Sequence, residues 1–483
     1  MEEIINQRVN KIKALQEKGF SPYGARFERT AEIADVLADF QEDRSVSLAG
    51  RVMAQRAHGK VTFLDIHDRS GKIQVYVKEK EISEKSLEIF KQLDIGDFIG
   101  VQGKLFKTRT QEMSVAASEL VPLSKALRPL PEKWHGLKDV ETRYRRRYLD
   151  LIASDEVKEI FKLRSKTIKG IRDFFDTRGY LEVETPMLQT IPGGATGRPF
   201  KSHHNSFDMD VYLRIAPELY LKRLLVGGFD KVYELNRSFR NEGISTRHNP
   251  EFTMFEVYTA YADYQDMMNL TEELIAQLAK DITGSLKIQY QGNEIDLTPP
   301  WRRCSFADVV KEQFDILPDD NAEAMLAKIK KKKPNVIEKK TLSRSQIMKI
   351  IEDFLQDTDV SKPTFFTDYF SFLSPLAKTK KDNPLIAERF ELFVGGMEVA
   401  NAYSELNDPQ EQRKRFQEAL KDLDRELVQK IDDDFITALE YGMPPAGGLG
   451  IGIDRLVMLF ANQPSIREVI LFPLLRPEEK DDE

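Results

Sequence analysis

RFELFVGGMEVANAYSEL, residues 389–406, decides the fold. Its two halves alternate about Gly395-Gly396, a two-residue signal for a primed turn whose twist suits antiparallel strands. Val394 then faces Met397, which leaves Glu391 and Glu398 on one face as diagonal neighbours. Two facing carboxylates repel unless a cation lies between them. Oxygen donors in that number suit Mg²⁺, which keeps several waters and bridges phosphates. Asn401, Tyr403 and Glu405 alternate along the second strand, yet a strict pleat count points them to the opposite face. If all five serve one pocket, a bulge lies between Glu398 and Asn401, and we expect one there.

A second hairpin-like pair spans about 232–258 and encloses FRNEGISTRHNPEF, residues 239–252. Arg240, Arg247 and His248 surround a glycine-containing loop, where an anion would meet fixed cationic donors. Beyond it Phe252, Met254, Glu256 and Tyr258 share one face, apolar at one end and acidic at the other. A surface hairpin of mixed charge has the same pattern. In PPAGGLGIGIDRLVMLF, residues 444–460, Gly447, Gly448, Gly450 and Gly452 suit either close approach to a ligand or a flexible loop. A helix beginning near Asp454 places Arg455 among free backbone N–H groups, a site for an anion.

Outward from these motifs the chain reads as one large mixed α/β domain from about Leu149. An amphipathic helix carries Val157, Ile160, Phe161, Ile168, Ile171 and Phe174 and stops at Gly179. In YLEVETPML, Leu181 and Val183 alternate as a strand, and Pro186 confines its end to a sheet edge. Residues 266–360 are helical and lysine-rich, and KIKKKKPN (328–335) reads as an exposed insertion. His203-His204 reads as surface or packing, because no metal-ligand spacing surrounds it.

Upstream, residues 46–122 change to short strands divided by glycines, roughly five in all, which predicts a small β-barrel. Arg51, Arg56, Lys60, Arg69 and Lys72 gather on its first part, with Phe63 and Tyr76 among them. The rings are either ordinary core beside a solvated face, or a platform that stacks unpaired bases over a cationic surface. Pro122, Pro129 and Pro131 mark a linker into the basic run RYRRRYLDL, which suits a nucleic-acid backbone or plain solvation. Ile5, Val9, Ile12 and Leu15 form one helical face, read as a packing arm. The expected organisation is an arm over 1–44, a barrel over 45–124, a linker over 125–148 and a catalytic domain over 149–483 with a helical insertion at about 266–360.

Composition narrows the function classes. The 483 residues (55.6 kDa) are 41% hydrophobic and 31% charged, a globular balance with length for two or three domains. No run of apolar residues is long enough for a membrane span. The opening MEEIINQRVNKIK lacks the apolar core of a signal peptide, so the expected compartment is the cytoplasm. A single cysteine, Cys304, excludes intrachain disulfides and cysteine-rich zinc sites. A net charge of −7 argues against wholesale coating by nucleic acid. P-loop, dinucleotide-binding, nucleophile-elbow and kinase signatures are absent.

Together the segments resemble the three signature motifs of class II aminoacyl-tRNA synthetases: GYLEVETPML, FRNEG…RHNPEF and GLGIGIDRL. The resemblance is closest to the bacterial class II lysyl-tRNA synthetases and covers essentially the whole chain, including HGLKDVETRYRRRYLDL, IPGGATGRPF, SHHNSFDMDVYLRIAPELYLKRL and GGMEVANAYSELNDP. It implies an α+β architecture: an N-terminal OB-fold barrel that reads the anticodon, then a catalytic domain of antiparallel sheet flanked by helices. It also implies a homodimer formed through the first motif. The implied reaction is ATP-dependent activation of L-lysine and its transfer to tRNA(Lys), with Mg²⁺.

By the same resemblance, Arg240 bridges the lysine carboxylate and the α-phosphate, while Arg455, Arg247 and His248 hold the distal phosphates. Phe252 stacks on adenine, Glu242 accepts from its amine, and Glu391 and Glu398 hold the metal. The lysine α-amine meets Glu218 and the carbonyl of Gly194, and the carboxylate also meets Asn401. Glu256, Glu405 and Tyr258 surround the side-chain ammonium and Tyr403 lines its stem. Phe63 stacks on an anticodon base and Gln74 reads one.

Two carboxylates with a phenol suit a compact cation on a long stem independently of any family. Phe370 in TDYF and Gly197 in IPGGATGRPF depart from the family pattern, and neither is expected to touch a site residue. Two other readings are a lysyltransferase that modifies elongation factor P, which lacks the barrel, and a non-catalytic nucleic-acid-binding paralogue. The second predicts losses among Arg240, Glu391, Glu398 and Arg455, and all four are present.

Overall fold

The computed structural model describes residues 1–131, 137, 139–195, 197–332, 342–355, 361–422 and 431–478. His135, Gly136, Lys138, Thr196 and the lysine-rich run beyond Lys332 lie outside these residues. The chain divides into two compact units, Met1–Asp139 with Tyr148–Ala153, and Val140–Arg147 with Ser154–Glu483.

The first unit holds helices α1 (Glu2–Glu17), α2 (Ile33–Ala38) and α3 (Glu84–Lys91) around a closed barrel. Its strands are β1 (Ser45–His58), β2 (Val61–His67), β3 (Lys72–Lys78), β4 (Phe98–Lys107) and β5 (Met113–Ser124), ordered β1-β2-β3-β5-β4. Strand periodicity sends Leu64, Ile66, Ile73, Val75 and Val77 inward, where Leu15, Ile33 and Val36 of the two N-terminal helices join the same core. Phe63, Gln74 and Tyr76 take the outward, half-buried positions, so the rings are not core.

The expected linker begins inside this unit. Lys125 is buried with its ammonium 2.6 Å from Asp97, and the Arg8 guanidinium donates to the carbonyls of Ala126 and Arg128.

The basic run lies on α4 (Val140–Arg145) and the start of α5 (Arg147–Ala153), with its arginines in the second unit and Tyr148–Ala153 in the first. Three arginines of that run are engaged by protein groups, and Arg146 is exposed. Arg143 pairs with Glu468 at 2.8 Å, Arg145 with Glu141, and fully buried Arg147 donates to the carbonyls of Leu471 and Arg467.

Next come α6 (Asp155–Asp176), β6 (Leu181–Glu182), β7 (Leu188–Gln189), β8 (Lys201–His204), β9 (Met209–Leu213), α7 (Glu218–Val226), β10 (Lys231–Phe239), β11 (Glu251–Ala260) and α8 (Tyr264–Thr283). A hairpin of β12 (Lys287–Tyr290) and β13 (Asn293–Asp296) leads to β14 (Arg302–Ser305), α9 (Phe306–Phe314), α10 (Ala322–Lys332), α11 (Arg344–Leu355) and β15 (Thr364–Phe370). The chain then continues through β16 (Ile386–Val394), β17 (Met397–Ser404), α12 (Pro409–Asp422), α13 (Asp433–Glu440), β18 (Ala446–Gly452), α14 (Ile453–Phe460) and α15 (Ile466–Val469).

Among the described residues the main sheet has eight strands in the order β14-β15-β16-β17-β18-β11-β10-β6. Its interior pairings are antiparallel and the outermost on each side is parallel. The α+β architecture is as expected, and Pro186 follows a strand that sits at the sheet edge.

One expected boundary shifts. The insertion does not begin at 266, because α8 buries Met267, Met268, Leu274, Ile275 and Leu278 in the main core beneath the sheet. An N-terminal capping box of Asp263 and Asp266 and a left-handed Gly284 delimit that helix. Helices α9 to α11 form a separate core instead, with Phe306, Val310, Ile347 and Met348 against Phe366, Phe370 and Phe393. Phe370, fully buried between Phe306 and Phe372, fills that core, which accounts for an aromatic residue there.

Candidate active site

The site is laid out by register. The expected bulge lies at Val399: Leu392 pairs with Ala400 and Phe393 with Glu398, so Glu391 faces Asn401 and Arg389 faces Tyr403. Gly395 and Gly396 both have positive φ, as a primed turn requires. One extra residue therefore returns Glu398, Asn401 and Tyr403 to the face that carries Glu391. Across the sheet, Glu234, Glu256, Gly450, Asn401 and Glu391 form one row, and Tyr258, Gly448, Tyr403 and Arg389 the next.

The glycines on this face of β18 form a floor without side chains. A Cβ on Gly448 would lie 1.9 Å from Glu405 Oε1 and 2.6 Å from Tyr258 Cε1. Leu449 and Ile451, pointing the other way, belong to the core. The segment is a strand, so the flexible-loop alternative falls away.

At one end of the floor lie the groups expected to meet an anion. Arg240 stands with its guanidinium 5.1 Å from the Phe252 ring, and its buried Nε has no hydrogen-bond partner. Burial lowers its pKa, and the Glu398 and Glu242 charges oppose that. Arg455, on the first turn of α14, donates to the Glu398 carbonyl at 2.7 Å and to Glu398 Oε2 at 3.1 Å. Its Nη2 lies 3.1 Å from His248 Nε2, which must be the acceptor because a guanidinium has only donors. The other ring nitrogen, Nδ1–H, then donates to Ser245 Oγ at 2.8 Å.

Burial and the Arg455 charge lower the His248 pKa, so the expected third cation is a neutral imidazole. Arg247 donates to the Gly396 carbonyl at 2.9 Å. Glu242 is exposed, next to Gly197. Gly197 does border site residues, contrary to expectation: a Cβ there would come within 3.4 Å of the Arg240 stem and of Glu242.

Glu391 accepts from Tyr369 Oη at 2.8 Å and pairs with Arg389. Burial raises its pKa, Arg389 opposes that, and the nearby Glu398 charge adds to it. Arg389 also donates to Asn401 Oδ1 at 3.0 Å, which leaves the amide N–H₂ as the donor end of Asn401.

At the other end lies an acidic pocket. Glu218, Glu256 and Glu405 are all buried, with Tyr258 Oη donating to Glu256 at 3.0 Å. Burial, reinforced by the Glu218 charge, pushes the Glu256 carboxyl to about 8. Burial likewise raises Glu405, whose Oε1 has no hydrogen-bond partner, and Lys222 is the chief opposing charge. Gly194, with φ +86, packs against the Glu218 Cβ and brings its backbone to the pocket wall.

Sequence reasoning missed Lys222, Arg389, Tyr369 and the buried pair of Arg214 and Glu234, which are 2.6 Å apart. Lys222 had a signal: four residues after Glu218, it shares that helix face.

In the barrel unit, Phe63 contacts Tyr76 edge-on at 5.6 Å and Tyr76 contacts Phe106 at 5.4 Å, a row of rings on the outer face. Gln74 accepts from Ser114 beside them. Of the five basic residues expected as a cationic surface, Arg51 stacks on Phe98, Arg56 pairs with Asp65 and Arg69 with Glu32.

Residues 139–476 match the family model for class II tRNA synthetases (D, K and N), and residues 46–123 match that for the OB-fold nucleic acid binding domain. The chain is 54% identical to a lysine–tRNA ligase of Pelotomaculum thermopropionicum, over 99% of this chain and 96% of that protein. It is 52% identical to a lysine–tRNA ligase of Carboxydothermus hydrogenoformans, over 99% of each.

Proposed function

The chain belongs to the class II tRNA synthetase family, and on that premise we propose that it activates L-lysine with ATP and transfers the lysyl group to the 3′ end of tRNA(Lys). One observation carries the choice of amino acid: three buried carboxyl groups, Glu218, Glu256 and Glu405, lie together, and Lys222 pairs with only two of them. A substrate with two ammonium groups balances that pocket, and an acidic or amide side chain does not.

The lysine carboxylate is already a nucleophile at neutral pH, so the first step needs no general base. Its oxygen attacks the α-phosphorus of ATP, the bond to the β-phosphate oxygen breaks, and pyrophosphate leaves with the electron pair. Then the ribose hydroxyl oxygen of the tRNA end attacks the acyl carbon, and the bond from that carbon to the phosphate oxygen breaks. AMP leaves with the electron pair, while the hydroxyl proton passes to its phosphate or to water. Arg240, whose free Nε–H is buried beside the floor, bridges the carboxylate and the α-phosphate. Catalysis here is positioning and charge stabilisation. Phe252 offers a face for adenine and Glu242 an acceptor for its amine. Arg455 and Arg247 take the distal phosphates, with His248 as a neutral donor or acceptor.

With its Oδ1 taken by Arg389, Asn401 keeps its N–H₂ donors, which supports its role on the lysine carboxylate. Glu218 and the Gly194 carbonyl take the α-ammonium. Glu256, Glu405 and Tyr258 take the side-chain ammonium, with Tyr403 along the stem.

Glu391 and Glu398 would hold Mg²⁺: the Glu398 charge acts on buried Glu391 even with Arg389 and Arg455 paired to them, and such a couple would suit an ion that keeps several waters. Bound there, the metal supplies charge neutralisation on the phosphates. Phe63 and Gln74 lie on the outer face of the barrel, where an anticodon base would stack and be read. That barrel is also what disfavours the elongation-factor-modifying alternative. The edge position of β6 and the exposed Leu181 and Leu188 of the first motif support a homodimer through that segment. Among the described residues no helix is long and apolar enough to cross a membrane, and we place the protein in the cytoplasm.

Amino-acid-dependent exchange of pyrophosphate into ATP, run with all twenty amino acids and no tRNA, tests this reading. Exchange with lysine alone is expected. Exchange with a different amino acid overturns the pocket assignment, and none in the presence of Mg²⁺ overturns the enzyme.

A further inference from the structure

Lys222 is completely buried and lies at the base of the acidic pocket. It stands one helical turn after Glu218 on α7, so both side chains leave the same face. Its Nζ donates to Glu218 Oε1 at 2.7 Å and pairs with Glu405 Oε2, while lying 5.5 Å from the Tyr403 ring. Stability alone does not ask for this arrangement, because apolar residues in place of a buried ion group are commonly neutral or stabilising. Glu405 Oε1 is left buried with no hydrogen-bond partner, an acceptor open to a donor from outside the chain.

We propose that Lys222 is a positioning residue that sets side-chain length specificity: its ammonium ties the carboxylate that receives the substrate α-ammonium to the one that receives the side-chain ammonium. The inference rests on the roles given above to Glu218 and Glu405. Glu218 is carried by α7 and Glu405 follows the end of β17, so the ammonium links two elements that the backbone does not pair directly. With both carboxylates held on one nitrogen, the two recognition points keep a fixed separation. A diamine head-to-tail distance one methylene shorter, as in ornithine, cannot satisfy both. Loss of the tie lets the carboxylates drift and admits other lengths.

The test is pyrophosphate exchange by the full chain with lysine, ornithine and homolysine, comparing wild type, Lys222→Met, Glu405→Gln and the double variant. Lys222→Met keeps the stem and removes the charge. It is expected to raise the lysine KM about tenfold or more and to lower the kcat/KM ratio of lysine over ornithine by a similar factor, with the ATP KM within about twofold. The double variant leaves Lys222 no tie to cut, so its selectivity should match that of Glu405→Gln within about twofold. This comparison carries the test if Lys222→Met alone fails to fold, because the double variant leaves one buried carboxylate, Glu218, without its ammonium instead of two.

Equal loss for lysine and ornithine, a parallel rise in the ATP KM, or a further fall of about tenfold in the double variant overturns the proposal. Failure of the underlying pocket reading looks different: Glu405→Gln would then leave the lysine KM of the otherwise unaltered chain in place.

Discussion

Binding of lysine is expected to expel a proton from Glu256. The Glu256 carboxyl is buried, close to the Glu218 charge, and pushed to about 8. At pH 7 about nine-tenths of it is protonated, and ionising it costs about 1.4 kcal/mol. An arriving ammonium stabilises only the charged form, so its binding draws the group through its titration. Calorimetric titration with lysine at pH 7, in buffers of different ionisation enthalpy, should record release of about 0.9 proton or more, since Glu405 is raised too. The sign follows from an acid of raised pKa: affinity for lysine climbs as pH rises towards about 8 and levels off above it. Between pH 6 and pH 8 the dissociation constant should fall by about fiftyfold. Glu256→Gln should flatten that profile and raise the lysine KM far more than the ATP KM. No proton release at pH 7, together with a flat profile in the wild type, refutes the reasoning.

Three further outcomes follow from contacts. Gly448→Ala pushes a methyl into Glu405 and Tyr258; overpacking of about 1–3 kcal/mol should raise the lysine KM about five- to a hundredfold in exchange assays, with the ATP KM little changed. Phe252→Ala removes the proposed adenine platform and should raise the ATP KM about tenfold while sparing that for lysine. Arg214→Ala strands the buried carboxylate of Glu234, and chemical denaturation should show a loss of about 3–5 kcal/mol.

How far the sequence carried the fold depended on whether the signal was local. The hairpin turn at Gly395-Gly396 and the bulge before Asn401 were legible, because pleat alternation and the need to gather Glu391, Glu398 and Asn401 on one face leave one solution. The outward placement of Phe63 and Tyr76 was not, since a strand pattern alone does not say which face meets the core. The ion pairs of the basic run around Arg143–Arg147 were not legible for a similar reason. Its partners, Glu468 and the carbonyls of Arg467 and Leu471, lie more than three hundred residues away, and charge composition carries no record of such pairings. Similarly, α8 looked like part of a surface insertion because its lysine-rich continuation dominated the texture of 266–360, while its own buried methionines and leucines face the main core. Lys222 needed both a helix period and a strand end to converge, and only the folded chain brings them together.

The bare floor of β18 has a consequence for how a ligand is held. Side chains that line a pocket surrender rotamer freedom when a ligand docks, at about 0.5–1.5 kcal/mol for each flexible one. Gly448, Gly450 and Gly452 have no rotamers to surrender, and the strand beneath them is fixed on both sides by β11 and β17. The loss of disorder on binding therefore falls on the walls alone. Adaptation to another amino acid would then proceed by exchanging wall residues such as Glu256, Tyr403 and Glu405, while the floor stays common to whatever substrate lies across it.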